Sequence, residues 1–584
     1  MSLLLKHMKS RQWLQAAACA VLVTVQVWLD LKLPDYMSEI TMLVQTPGSP
    51  MSSIWSAGGS MLLCAFGSLI AAFVVGFLAA QMAADMARRL RNALYDKVES
   101  FSMTEIGRFS TASLITRSTN DITQIQMLIA MGLQVMIKAP VMSVWAICKI
   151  AGKTWQWSLA TGSAVFALVA IAAVLLSFAL PKFRIVQSQT DKLNSVTREN
   201  LTGVRVVRAY NAELYQQEKF EKINRDLTDT NLFISRMMAI MQPGMQAIMN
   251  GLTLSIYWIG AVIISRAAMG QRLGLFSDMI VYTSYAMQVV MSFMLLIMIF
   301  IILPRAMVSA RRINEVLDTR PLIADGGLVR LPPASGRVEF RQVSFRYPDA
   351  AEYVLHDVSF EARPGETVAF IGSTGCGKST AVNLIPRFYD ATEGEILIDG
   401  INVKDYKLRD LHDKIGYVPQ RAVLFKGTIA SNISFGDSGD PDPAEIAAAA
   451  RIAQASDFVE KLEDQYDSAV SQGGTNLSGG QRQRLSIARA VYRGPEIFIF
   501  DDAFSALDYK TDRALRSELK KHTAGATTFI VAQRIGTIRD ADRIIVLHEG
   551  NVAGIGRHEN LLKTCGVYRE IARSQLTEEE LGYE

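Results

Sequence analysis

Between Gln12 and Pro304 the chain repeatedly runs for eighteen residues or more without an Asp, Glu, Lys or Arg. Such runs cover Gln12 to Leu29, Thr41 to Ala84, Thr154 to Pro181, Met237 to Ser265 and Met279 to Pro304. A sixth, Ile122 to Ile150, carries Lys138 just ahead of Pro140. A bilayer core is crossed by roughly 20 apolar residues in a helix, so each run is long enough to span, and six in succession exclude a soluble core. The composition, 50% hydrophobic with a positive mean hydropathy, agrees.

Charge sets the expected orientation. Lys6 to Arg11, Arg88 to Arg117, Lys182 to Arg236 and Arg305 to Arg312 are basic, whereas Asp30 to Ser56, read as an outer loop, holds one Lys against two Asp and one Glu. By the positive-inside rule the N-terminus, the two long connections and everything after residue 305 lie in the cytoplasm. The first run has no small-residue cleavage pattern before its acidic exit at Asp30, so it reads as an anchor and not as a removed signal peptide. Ala84 to Asp121 and Lys182 to Arg236 read as helices continuing into the cytoplasm.

The C-terminal part carries chemistry. After the strand-like Thr367–Ile371 comes Gly372-Ser373-Thr374-Gly375-Cys376-Gly377-Lys378-Ser379, a full G-x-x-x-x-G-K-S, followed by Thr380. Its glycines let backbone N–H groups curl around phosphates, Lys378 reaches the β and γ oxygens, and Ser379 can ligate Mg²⁺. A second buried strand, Ile497–Phe500, ends in Asp501, whose carboxylate would hold the Mg²⁺ shell. ATP and Mg²⁺ are the cofactors expected.

Between these strands stands Leu477-Ser478-Gly479-Gly480-Gln481. With this signature the chain resembles the ATP-binding cassette (ABC) transporter family, of the exporter half-transporter type. The resemblance implies a membrane all-α six-helix domain followed by an α/β P-loop cassette with a helical insertion between Gln420 and Leu477. It also implies that Ser478, Gly479, Gly480 and Gln481 cap ATP bound to a facing cassette. A hydroxyl and backbone N–H groups at a helix N-terminus suit an anion. Tyr347 matches the aromatic residue on which adenine stacks, Gln420 a glutamine that contacts Mg²⁺, and Ser505-Ala506-Leu507-Asp508 the loop through which cassettes touch. Leu201 to Tyr210 is similar to the stretches that dock exporter membrane domains onto cassettes, and Ser102 to Thr119 and Gly203 to Glu213 are expected to do so here. The domains expected are 1–320 in the membrane half, a linker over 321–335 that contains Pro321, Gly326, Gly327, Pro332 and Pro333, and the cassette over 336–584.

Two positions depart from the family pattern. Where the family has a glutamate that polarises the attacking water stands Asp502, one methylene shorter, and Gln533 replaces the switch histidine. A base drawn back by about 1 Å can lose on the order of a hundredfold, and a glutamine cannot carry charge or shuttle a proton. The chain's own site is therefore expected to bind ATP and hydrolyse it poorly, with Asp502, Gln533, Gln420 and Asp508 as its reacting-side residues. A second, different half-transporter would supply a competent base, as in the heterodimeric bacterial multidrug exporters. That implies a multi-pass protein of the bacterial cell membrane moving small lipophilic substrates. A lipid flippase, a siderophore importer or an ATP-sensing regulatory subunit are the alternatives.

Lys138, about 25 Å along a helix begun at Asp121, reads as snorkelling to the inner interface. Met287, Met291, Met294 and Met298 recur at helical spacing and read as helix packing, or else as an adaptable apolar surface. The five cysteines show neither paired nor metal-ligand spacing; Cys376, inside the phosphate loop, is the expected site for inhibition by alkylation. A net charge of +4 over 584 residues gives no sign of nucleic-acid binding.

Overall fold

The computed structural model describes residues 8, 10–46, 48–151, 154–327, 335–348, 350–436, 439 and 441–576. Lys6 of the basic N-terminal segment, and Pro332 and Pro333 of the expected linker, lie outside the described residues. Two compact units result. One holds the residues up to Glu99 together with Thr111–Thr319, and the other Ser100–Ser110 together with Arg320 onward.

The first unit contains the long helices α1 (Ser10–Gln45) and α2 (Met51–Glu99). The short α3 (Met103–Phe109), which belongs to the second unit, separates them from α4 (Thr111–Ala151) and α5 (Trp155–Thr202). Then come the short α6 (Val204–Ala209), α7 (Glu213–Arg266) and α8 (Arg272–Asp318). Apart from α3 and α6, these helices are long and apolar enough to cross a membrane, six in all among the described residues. Their buried stripes follow helical periodicity: Cys19, Val23, Val27 and Leu31 recur every four residues on α1, and Ala71, Val75 and Ala79 do so on α2. Small residues on α2 let its neighbour approach closely, which is what holds helices together where lipid is as apolar as leucine. Around Trp157, Tyr282 and Tyr285 these stripes meet in one core, with Met142 and Val289 against them. Pro34, Pro140, Pro181, Pro243 and Pro304 all sit inside helices, which neighbouring helices make tolerable in a membrane.

Three expectations are corrected here. Asp30 to Ser56 is not a loop: α1 continues through Asp30 and Asp35 to Gln45, and α2 begins at Met51 after a turn at Gly48, so the run from Thr41 to Ala84 is two helices. The acids can stay inside the bundle because they are partnered. Asp30 accepts from Ser68 Oγ and pairs with Lys138 at 3.3 Å, and Asp35 pairs with Lys149 at 2.8 Å and accepts from Tyr285 Oη at 2.5 Å. Lys138 accordingly does not snorkel to the inner interface. Its helix begins at Thr111 and not at Asp121, which places Lys138 farther along, beside an acid twenty residues into α1. The methionine stripe, finally, is split: Met294 packs against the core and Met287 is half-buried, but Met291 and Met298 are exposed, off the face of α8 that buries Tyr282, Tyr285, Ala286, Val289 and Val290.

The stretches expected to dock contain the short helices α3 and α6. A capping box at Ser102 starts α3. Its third residue, Glu105, is only 4% exposed. Glu105 accepts from Ser102 N–H at 2.8 Å and Ser102 Oγ at 2.6 Å, and also from the backbone N–H of Leu322 at 3.2 Å. Two π-helical turns, Arg117–Asp121 and Leu128–Gly132, interrupt α4. Arg117 of the first donates to Arg312 C=O at 2.7 Å and pairs with Glu315 at 2.9 Å on α8.

The second unit is an α/β cassette. Strands β1 (Val338–Phe345), β2 (Leu355–Ala362), β4 (Glu393–Ile398) and β5 (Ile401–Asn402) form an antiparallel sheet in the order β2-β1-β4-β5. The larger sheet runs β12-β11-β3-β10-β9-β6 and is built from β3 (Thr367–Gly372), β6 (Ile415–Val418), β9 (Ile497–Asp501), β10 (Thr527–Val531), β11 (Arg543–His548) and β12 (Asn551–Gly556). Its inner strands are parallel, with β12 antiparallel at the edge. In β9 and β10 every residue is buried, as a sheet covered on both faces requires. A short antiparallel pair, β7 (Gly427–Thr428) with β8 (Ala469–Val470), closes off the helices of the insertion that lie between them.

After α8 the cassette helices used below are α9 (Lys378–Leu384), α10 (Leu408–Asp413), α11 (Ile429–Ile433), α12 (Pro443–Ile452), α13 (Ser456–Val459), α14 (Gly479–Tyr492), α15 (Tyr509–His522), α16 (Ile535–Ile538), α17 (His558–Thr564) and α18 (Gly566–Arg573). Arg489 of α14 ties the insertion down. It donates to Asn432 C=O at 2.8 Å and Val423 C=O at 3.1 Å and lies over the rings of Phe425 and Phe435. Burial pushes its guanidinium down to about 10.

Candidate nucleotide site

Parallel register brings the site together. Phe370 on β3 faces Val531 on β10, which faces Asp501 on β9, and Phe500 faces Val418 on β6. Gly372, Gln533, Asp502 and Gln420 thus leave the same carboxyl edge of the sheet within two residues of those partners. That edge is where open α/β sheets hold ligands.

The phosphate loop joins β3 to α9. Gly372 and Gly377 have φ of 156° and 95°, and a Cβ at Gly372 would lie 2.1 Å from Leu547 C=O, so only glycine fits. Lys378 Nζ donates to the loop's own carbonyls, Gly372 at 2.9 Å and Ser373 at 2.7 Å, with Cys376 Sγ at 3.6 Å. The ammonium thus points into the cradle that Ser373, Thr374 and Gly375 close. Ser379 Oγ donates to Asp501 Oδ1 at 2.8 Å, which unites two of the three expected Mg²⁺ ligands. Burial, and then the neighbouring Asp502 charge, raise the Asp501 carboxyl above its ordinary value, although Ser379 and Lys378 oppose this. A buried acid beside a second acid is a site that a divalent cation would relieve, so these residues fit Mg²⁺ and a nucleotide triphosphate. When bound, the ion would neutralise phosphate charge.

Tyr347 packs edge-on against Phe345 and Tyr389, with ring centroids 4.9 and 5.3 Å away, and its hydroxyl lies 3.1 Å from Thr380 Oγ1. The expected adenine platform is therefore fixed to the first turn of α9.

Asp502 occupies a left-handed turn, φ 48°, which aspartate adopts more readily than most side chains. Its Oδ2 accepts two amide hydrogen bonds, from Gln533 Nε2 at 3.0 Å and Gln420 Nε2 at 3.2 Å. Three of the four residues expected on the reacting side, Asp502, Gln533 and Gln420, are thus in one cluster; the fourth, Asp508, is instead the N-cap of α15.

The signature stands apart from that cluster. Ser478 is the N-cap of α14: its Oγ accepts from Gln481 N–H at 3.2 Å, and Gln481 Oε1 accepts from Ser478 N–H at 2.8 Å. The cap leaves the hydroxyl proton and the Gly479 and Gly480 N–H groups free of intrahelical partners, as an anion site needs. A Cβ on Gly480 would lie 3.3 Å from Ala506 C=O, so the signature abuts the Ser505–Asp508 loop. Asp508 itself caps α15 through Thr511 N–H at 3.0 Å, a bond that holds its carboxyl below the ordinary range. Gln483 Nε2 donates to Pro419 C=O at 3.2 Å, a link between α14 and the Gln420 loop that the spacing of the motifs did not signal.

The family model for the ABC transporter transmembrane region matches residues 16–314, and that for the ABC transporter matches 355–505. This chain belongs to the ABC transporter family. It has the exporter-type half-transporter layout, one membrane domain followed by one cassette. An uncharacterised ABC transporter ATP-binding protein of Mycobacterium tuberculosis is 38% identical over 98% of both chains. An ATP-dependent lipid A-core flippase of Pseudomonas aeruginosa is 32% identical over 87% of this chain and 83% of its own length. A bacterial Atm1-family ABC exporter solved with ATP bound superposes with a TM-score of 0.78 at 25% identity, covering 96% of this chain and 99% of the other. The six apolar helices make this ABC protein a multi-pass membrane protein.

Proposed function

We propose that this chain is one subunit of an asymmetric ABC exporter whose own ATP site holds nucleotide and hydrolyses it slowly, while its signature completes a competent site on a different half-transporter. One observation carries the reading: the Asp502 carboxylate is shortened and engaged by two glutamine amides, whereas the signature cap at Ser478 is complete. A carboxylate that accepts from Gln420 and Gln533 has less acceptor capacity left for a water, and neither amide can take up a proton. The N-terminus and the cassette face the cytoplasm of a bacterial cell. ATP with Mg²⁺ drives alternating access, the ion held by Ser379, Asp501 and Gln420. We assign the domains as 1–320, 321–335 and 336–584.

The substrate class is lipophilic. An amphiphilic lipid is favoured within it by relatives named for lipid A-core flipping and by the exposed methionines on α8.

Purification of the full chain alone and with its partner tests the assembly. Alone it should hydrolyse ATP weakly; the pair should turn over, and Ser478→Ala should remove most of that activity. Brisk turnover by the single chain, abolished by Lys378→Ala, would sink the asymmetric reading. Reconstituted vesicles offered dyes, lipids and metal chelates would identify the substrate.

A further inference from the structure

The last described turn of the chain reaches the nucleotide site through one side chain. Gln575 follows α18, its N–H bonded to Ala572 C=O at 3.1 Å. That helix is rooted in the cassette core by Tyr568 and Ala572, both fully buried, and the Tyr568 hydroxyl lies 2.7 Å from His558 Nδ1. From this base the Gln575 carboxamide meets the switch loop at both of its ends. Nε2 donates to Gln533 C=O at 2.8 Å, and Oε1 accepts from Ile535 N–H at 2.8 Å. Ile535 opens α16, whose N-cap Arg534 offers no side-chain acceptor, so this N–H would otherwise be one of the orphan donors of a helix start. Gln533, gripped by its own backbone, then extends Nε2 to Asp502.

We infer that Gln575 is a positioning residue that sets Gln533 at the γ-phosphate end of the site and so couples the end of the chain to ATP recognition. The inference rests on the reading of Gln533 as facing nucleotide. A carboxamide of this length supplies one donor and one acceptor, the pair that the loop presents. Glutamate would keep only the Ile535 contact, and leucine neither. The side chain lies at the surface, so its replacement leaves the core packing intact.

The test uses the full chain in lipid nanodiscs, titrated calorimetrically with MgATP and MgADP. Gln575→Leu should weaken ATP binding about two- to tenfold, the range expected for losing one or two hydrogen bonds, and leave ADP binding unchanged. Gln575→Glu should fall between it and the parent. In a Gln533→Ala background, Gln575→Leu should cause no further loss, because its effect passes through Gln533. Equal weakening of ATP and ADP, or multiplication of the two single effects in the double variant, would overturn the inference. So would normal ATP affinity in Gln575→Leu beside a weakened Gln533→Ala. Lys378→Ala should lose both nucleotides; if it binds them normally, the nucleotide-site reading itself fails.

Discussion

At Asp502 a single methylene and a backbone angle act together. The left-handed turn suits a short acidic side chain, and the two glutamine amides hold it at the sheet edge. With the partner present, Asp502→Ala should lower ATPase activity less than about threefold. On the asymmetric reading proposed above, removal of the base on a different half-transporter should cost the 10²- to 10⁴-fold typical of a positioned general base. A collapse on Asp502→Ala with nucleotide binding intact would make Asp502 a working base. His558 gives a residue-scale pH test. Burial, and then Arg539, hold its imidazole below the ordinary value. As pH falls below about 6.5 the unfolded chain takes up a proton that the folded cassette refuses, so stability present above that pH is lost in acid. Melting temperatures between pH 7.5 and 5.5 should fall, and His558→Asn should flatten the slope; an unchanged slope would show that His558 takes up its proton equally in the folded and unfolded states.

Among the elements, α1, α4 and α8 are joined by charges that a helix in lipid would ordinarily exclude. Lys138→Met leaves Asp30 in the bundle without its cation. Because both side chains are about a quarter exposed, we expect a loss of about 1 to 3 kcal/mol, below that for a fully buried pair. Lys138→Met with Asp30→Asn should recover most of it in thermal unfolding of the detergent-solubilised protein; additive losses would show that the two do not interact. The same elements mark what a sequence can disclose. The phosphate loop, Asp501 and the signature were legible because their chemistry needs fixed residue types at short, ordered spacings, and β3, β9 and α14 formed where those motifs put them. That the helix continues through Asp30 was not legible, because the partners of this acid, Ser68 and Lys138, lie 38 and 108 residues away. Gln575 carried no signal at all, since a lone glutamine acquires meaning only when folding lays it across a loop 40 residues earlier.

For the whole molecule, residues 100–110 leave the membrane bundle's sequence and pack with the cassette unit. Both flanking helices, α2 and α4, are long and apolar enough to cross a membrane. Glu105→Ala removes the acceptor for Leu322 N–H and for the cap of α3. It should leave basal ATPase activity within about twofold, since it touches no group of the nucleotide site, and diminish its stimulation by transported substrate. Full stimulation in Glu105→Ala vesicles would exclude the contact from coupling.

A cassette cut from the chain at Arg320 would lack a piece of its own surface. The fragment would carry Leu322 with its amide facing water and a vacant seat where α3 belongs. Isolated cassettes of this protein should therefore melt lower than the same domain within the full chain. A synthetic peptide spanning residues 100–110 should bind them in trans and restore part of the difference, as a missing strand or helix does in a complemented fragment.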